Sequence, residues 1–163
     1  AMVVFRRDGK ATKYQAEKVV NETPLAGPWK MTFRHVNNSP PVEHTFAIGQ
    51  DWRTTPGLEK FAGNATATVE IGEIKLKDGQ RCFLDFAKVH EVISVSHAGK
   101  ELGVAWEPPY HIEITSAVKA GAKSVEIKVG NILAAAFDHY KDDKLPSGIF
   151  GPVKTVTTET KEP

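Results

Sequence analysis

Three stretches of the chain set an aromatic ring beside planar polar groups. Asp51-Trp52-Arg53 places an indole between a carboxylate and a guanidinium, next to Thr54, Thr55 and Pro56. Trp106-Glu107 and Tyr110 flank the diproline Pro108-Pro109, and Asp138, His139, Tyr140 and Lys144 stand just before Leu145-Pro146-Ser147-Gly148. An aromatic face covers the apolar C–H side of a pyranose while polar groups fork onto its hydroxyls, so the chemistry on offer is sugar recognition. Trp52 is the first choice of platform because it lies outside any alternating pattern, with Asp51, Arg53 and Tyr140 as hydrogen-bonding partners. An interface with another domain accounts for Trp52 equally well. Trp106 ends a strand and reads as core before ligand, Tyr110 has the alternative task of locking the diproline turn, and Trp29 is assigned to the core.

Other chemistries find less support. Bond cleavage between sugars needs two carboxylates facing each other across roughly 5 to 9.5 Å. Glu70, Asp85, Glu107 and Glu113 are available, but most fall on the polar parity of strands, where a solvated face is the ordinary explanation. His90 with His97, or Asp138 and His139 with Asp142 and Asp143, have neither zinc nor EF-hand spacing. Asn21-Glu22-Thr23 and Asn64-Ala65-Thr66 fit the glycosylation sequon, which has meaning only on a eukaryotic secretory route. The lone cysteine, Cys82, sits in the alternating run Arg81-Cys82-Phe83-Leu84-Asp85-Phe86 and reads as a small buried hydrophobe.

Composition bounds the rest. The 163 residues, 40% of them hydrophobic, suffice for one well-buried core and not for two ordinary domains. With 21 basic and 20 acidic side chains the formal charge is +1, which supplies no field to gather nucleic acid or an anionic membrane. No apolar run approaches the length of a membrane span. Ala1-Met2 reads as a remnant ahead of an excised segment.

The elements that must position these side chains are strands. Trp29, Met31 and Phe33 alternate with Lys30, Thr32 and Arg34, after which Asn37 to Pro41 is turn-rich. The run Ala65 to Leu76 is a strand with a bulge or bend at Gly72, where its parity flips. Further strands are expected over Cys82–Phe86, Val92–Ser96, Leu102–Trp106, His111–Ile114, Val125–Val129 and Val153–Val156, with Gly99-Lys100 as a tight connection. Ile132–Tyr140 is either a short helix or an irregular loop. Many short strands between Gly, Pro, Asn and Asp turns specify an all-β sandwich or barrel. The expected organisation is a lead-in segment from a preceding domain over 1–26, a sandwich over 27–156 and a polar tail over 157–163.

One order of motifs is more specific. Phe61-Ala62-Gly63-Asn64-Ala65-Thr66-Ala67 is followed by Leu84-Asp85-Phe86-Ala87-Lys88-Val89 and by Ala98-Gly99-Lys100-Glu101-Leu102-Gly103-Val104-Ala105-Trp106-Glu107-Pro108-Pro109-Tyr110. Then come Ile112-Glu113-Ile114-Thr115, Val125 to Asn131, and Leu145 to Val153. Over about Gly27 to Val156 this resembles the galactose-binding-like jelly roll of glycoside hydrolases, of the family 2 sugar-binding type, and more closely still the C-terminal sandwich of family 106 α-L-rhamnosidases. The resemblance implies a jelly-roll β-sandwich acting as a non-catalytic carbohydrate-binding module for a plant or microbial polysaccharide. It implies equally a structural accessory domain docked on the catalytic domain of the parent enzyme. An extracellular or periplasmic setting belongs to the same expectation; sandwiches of this type often carry a structural calcium, but nothing in the sequence identifies ligands for one and no cofactor is expected. The chain departs from the family at Ala98, where Asn is usual, and over Ile132–Tyr140, where a Trp and an Asn-Arg pair are replaced.

Overall fold

The structure, a computed structural model, describes residues 17–131 and 146–160. Ten strands and one short helix follow in chain order: β1 Glu17–Pro24, β2 Trp29–His35, β3 Val42–Phe46, β4 Gly63–Glu70, β5 Gln80–His90, β6 Val92–His97, β7 Lys100–Ala105, β8 Tyr110–Glu113, α1 Thr115–Lys119, β9 Ser124–Gly130 and β10 Gly148–Thr160. They form two antiparallel sheets, one of four strands in the order β1-β10-β5-β8 and one of six in the order β3-β2-β4-β9-β6-β7. The architecture is the expected all-β jelly-roll sandwich.

Alternation explains why these segments pair as they do. In β2, β4 and β9 every second side chain enters the core, giving Trp29, Met31 and Phe33, then Ala65, Ala67 and Val69, then Val125, Ile127 and Val129. Cys82, Leu84 and Phe86 of β5 and Val153 of β10 meet them from the other sheet. Because side chains alternate with period two, any slip of register would turn this apolar set to solvent. Cys82 is wholly buried, as its place in the run implies.

Several elements differ from the sequence reading. β1 pairs along its length with Lys154–Thr160 of β10, so 17–24 and 157–160 belong to the four-stranded sheet rather than to a lead-in and a tail. All eight residues of β1 are exposed, so an edge strand with no buried face carried no alternation to read. β3 was not anticipated for a similar reason, since only Phe46 of its five residues is buried. The strand expected over Ala65–Leu76 ends at Glu70. Gly72, at φ +72°, turns the chain out of the ladder, and Ile74 and Leu76 lie against the core from a loop. Pro152 sits at a bulge between Phe150 and Val153 of β10, where a missing N–H is tolerated. α1 is a single turn, too short to show a helical period. The helix-or-loop candidate Ile132–Tyr140 lies outside the described residues.

The β6–β7 hairpin closes on Ala98 and Gly99, both with positive φ, +50° and +76°. Two-residue turns of this kind favour Asn-Gly, because an ordinary Cβ clashes in the left-handed region. Ala98→Asn is therefore expected to raise stability by about 1 kcal/mol, read as an increased urea midpoint at unchanged m-value. A lowered midpoint would contradict the assigned turn.

Candidate functional site

The segment Asp51-Trp52-Arg53 is a fastener at one end of the sandwich. Trp52–Thr54 forms one 3₁₀ turn, whose preceding residue, Asp51, accepts a hydrogen bond from the Arg53 backbone N–H at 3.1 Å. The same carboxylate accepts from the Ser147 backbone N–H at 3.0 Å and is held by the Arg53 guanidinium at 2.9 Å. The Trp52 backbone N–H in turn donates to the Ser147 carbonyl. From the far side, the Asn131 amide donates to the Ser147 hydroxyl and the Phe61 carbonyl. Burial would push the Asp51 carboxyl up, but the Arg53 hydrogen bond, the two backbone N–H donors and the Arg53 charge outweigh it and hold the group below the usual range.

This geometry corrects the choice of Trp52 as stacking platform. Its side chain is only 2% exposed, with the ring edge-on to Phe33 at 5.1 Å and tilted against Phe46 at 6.0 Å. Gly148, at φ +141°, passes so close that a Cβ there would lie 3.3 Å from the indole nitrogen and 3.0 Å from the Gln50 carbonyl oxygen. Both faces of the ring are occupied by protein. Asp51 and Arg53 hold it there and are engaged with each other and with Ser147. Tyr110 is likewise buried, at 8% exposure, and belongs to the core. Tyr140, with Asp138, His139 and Lys144, lies outside the described residues.

Trp106 behaves in the opposite way. Expected in the core, it is 71% exposed, the most open large hydrophobic side chain among the described residues. The register between β6 and β7 shifts between Val95 and Ser96, so that Val95 pairs with Gly103 and Ser96 with Glu101. Leu102 is the extra residue and packs against the core. A Cβ on Gly103 would come 2.9 Å from an Ile112 methyl, so a larger residue at this inward position would press on β8. Val104, 41% exposed, is left on the outer side, and Trp106 continues its parity just past the end of the strand, before the exposed Glu107 and the cis Pro108-Pro109 bond. Of the three aromatic stretches, this corner is the one whose indole offers an open face among the described residues.

The two outer sheet faces differ in how far they are saturated. On the four-stranded sheet, Arg81 is paired with Glu17 and Glu113 and lies over Phe83, while His111 stacks on Phe83 at 4.2 Å. Lys154 bridges Glu22 and Asp85. The Arg81 contact draws the Glu113 carboxyl below its usual range against the effect of burial. Asp85 and Glu113, two of the carboxylates considered for chemistry, are thus engaged in this network, and Glu70 ends β4 in solvent.

The six-stranded sheet is more open. Its outer face carries a groove of about 730 Å³, within the roughly 300–1,000 Å³ range of ligand sites. Register aligns its floor, to which Thr32, Thr66, Lys128 and Ser94 contribute, with neighbours on either side. Glu43, Thr32, Thr66, Lys128, Ser94 and Val104 lie side by side across all six strands, a row about 24 Å wide at ~4.8 Å per strand. Thr68, Glu126, Ser96 and Glu101 make the next row on one side, and Arg34, Asn64, Gly130 and Val92 the next on the other. Trp106 follows the last β6–β7 pair, Ile93–Ala105, level with this Arg34 row. Within a single strand these residues show only the alternation of a solvated face, and it is the register between strands that aligns them.

Metal chemistry has little to stand on here. His90 ends β5 in one sheet and His97 ends β6 in the other. The His90 Nε2 is buried with no hydrogen-bond partner, and burial first, then the Lys88 charge, holds the ring below its usual range. A structural calcium needs several oxygen ligands about one point, and among the described residues no three His, Cys, Asp or Glu side chains converge in that way.

Comparison with known proteins gives this architecture a setting. No protein-family model matches the chain. It is 30% identical over 146 residues to the "Putative beta-glucuronidase" of Formosa agariphila, an alignment that takes in 85% of this chain and 12% of that protein. Among solved structures it matches the rhamnosidase from Novosphingobium sp. PP1Y with a TM-score of 0.69 and 27% identity, over 93% of this chain and 16% of that one. The fold is that of a glycoside hydrolase β-sandwich. This sandwich recurs in β-glucuronidase 3 of Bacteroides uniformis, with a TM-score of 0.65 at 13% identity, over 85% of this chain and 22% of that one. The chain thus spans a small part of the relatives it matches, and the galactose-binding-like resemblance of its motifs is matched by its structure.

The fastener generates two expectations. Trp52→Ala should cost about 3–5 kcal/mol of stability, as large aromatic truncations in cores do, whereas loss of an exposed platform would leave the denaturation midpoint unchanged. For Asp51, a folded pKa below the unfolded value of about 3.9 means that its contribution is complete above that pH and disappears as pH falls through the lowered folded value. Asp51→Asn should therefore be less stable than the wild type at pH 7, with the gap closing below about pH 3.9. Urea denaturation at both pH values checks this, and a gap that widens in acid would contradict it.

Proposed function

We propose that the chain is a non-catalytic accessory domain of a larger glycoside-degrading enzyme and that it holds a plant or microbial polysaccharide at the Trp106 corner. The observation that carries this reading is the exposure of Trp106, set against the burial of Trp29, Trp52 and Tyr110. An indole at the end of an edge strand, stiffened by the following diproline and next to the exposed Glu107, supplies a stacking face and a hydroxyl acceptor together. Coverage of only 12% and 16% of two relatives supports an accessory role, with the reaction carried by another part of such a protein. The engagement of Asp85 and Glu113 in ion pairs supports it further. An extracellular or periplasmic location goes with a polysaccharide partner. Among the described residues no helix is long and apolar enough to cross a membrane.

A single stacking face gives weak binding, since association must first offset lost translational and rotational freedom. In affinity electrophoresis against plant and microbial polysaccharides, the chain should be retarded by at least one of them. Trp106→Ala should abolish the retardation while the thermal midpoint stays within about 2 °C, as for surface substitutions. Absence of retardation by any polysaccharide would favour Trp106 as a docking point on the catalytic domain instead. Hydrolysis of an aryl glycoside by the pure chain, lost on changing one of its own carboxylates, would contradict the non-catalytic role.

A further inference from the structure

The groove on the six-stranded sheet is unlike an ordinary solvated face. Thr32, Thr66, Ser94 and Ser96 are half-buried within it although their side chains point away from the core. Register places Glu43 in the same row as Lys128, and Lys30 beside Thr68 in the row of Glu126. Lys128 holds the centre of the main row and Arg34 the neighbouring row, whereas Glu126 and Glu101 occupy the row on the far side. Lys30 is already bound to Glu43 at 2.7 Å, and Glu126 accepts a 3.4 Å hydrogen bond from Ser96. Among the described residues neither Lys128 nor Arg34 makes an ion pair, in contrast to Arg81 and Lys154 on the opposite face. The groove therefore presents two cations with unused donors, a floor of hydroxyls, and carboxylates at one border.

From this we infer that the groove binds an acidic glycan, a sugar chain bearing carboxylates, with a carboxylate on Lys128 and Arg34 and ring hydroxyls on the Thr66, Ser94 and Glu126 side. The class of ligand follows from complementarity. A carboxylate forms charge-assisted hydrogen bonds with ammonium and guanidinium groups, and Glu126 and Glu101 suit hydroxyl donors while opposing a second anion placed over them. A polyanion with no hydroxyl donors would meet repulsion across the acidic row. The groove lies in the sheet whose edge strand leads to Trp106, so a chain stacked at that corner is within one sheet of Lys128. The inference rests on the sugar-binding reading and adds to it the ligand class and a second contact surface.

Calorimetric titration of the full chain with oligogalacturonides, and separately with neutral galacto-oligosaccharides, tests it. The wild type should bind the acidic oligomer more tightly, and added salt should weaken that binding selectively. Lys128→Gln and Arg34→Gln should each weaken the acidic oligomer about ten-fold, the effect of losing one charge-assisted hydrogen bond, and leave the neutral one unchanged. Lys154→Gln, on the opposite sheet, should change neither. Equal binding of the acidic oligomer by Lys128→Gln and wild type, or no binding of it by the folded wild type, would overturn the inference. If neutral oligomers still bind in that case and Trp106→Ala removes them, the function proposed above stands without it.

Discussion

The end of the sandwich is organised by the burial of one indole. Phe33 takes Trp52, Phe46, Phe61 and His44 edge-on around its ring, at 5.1, 5.5, 5.1 and 6.1 Å, so four aromatic neighbours from three segments converge on one side chain of β2. Edge-to-face contacts of this type add to simple burial. Trp52 arrives from the 3₁₀ turn, and Ser147 and Gly148 are brought alongside it. Asp51, Asn131 and the positive φ of Gly148 are all consequences of that approach. The beginning of β10 is thereby fixed, and β10 carries both β1 and β5.

Closing one end in this way determines where a ligand surface remains. The Trp52 end is filled, and the outer face of the four-stranded sheet satisfies its own charges through Arg81 and Lys154. Among the described residues, what stays open is the outer face of the six-stranded sheet and the corner where β7 departs toward β8. The bulge at Leu102 is the local cause of that corner. It turns Leu102 inward beside Gly103, so the bulky residues that follow, Val104 and Trp106, have only the outer side available.

Much of the fold was legible in the sequence because strands with one buried face announce themselves by alternation, as β2, β4 and β9 do. Edge strands such as β1 bury nothing and left no such mark. The site was less legible for a different reason. Trp52 stands among polar residues in a non-repeating segment, which resembles a surface loop, and only the distant Phe33 and Ser147 decide that it is buried. Trp106 ends an apolar run, Leu102 to Trp106, which resembles core, and only the bulge and the closeness of Ile112 to Gly103 decide that it is exposed. Both outcomes depend on contacts far apart in sequence, and local pattern carries no information about them. The hydroxyls and cations of the groove were visible as the polar parity of their strands, but their alignment across six strands is a matter of register.

The three tryptophans provide the most direct test, because each indole N–H gives its own signal in a ¹⁵N-edited NMR spectrum. On titration with an oligosaccharide that the chain retains, the Trp106 indole signal should move progressively while those of Trp52 and Trp29, buried at 2% and 8% exposure, stay in place. Movement of the Trp52 signal with Trp106 unaffected would contradict the account, returning the binding surface to the end of the sandwich that the aromatic cluster closes.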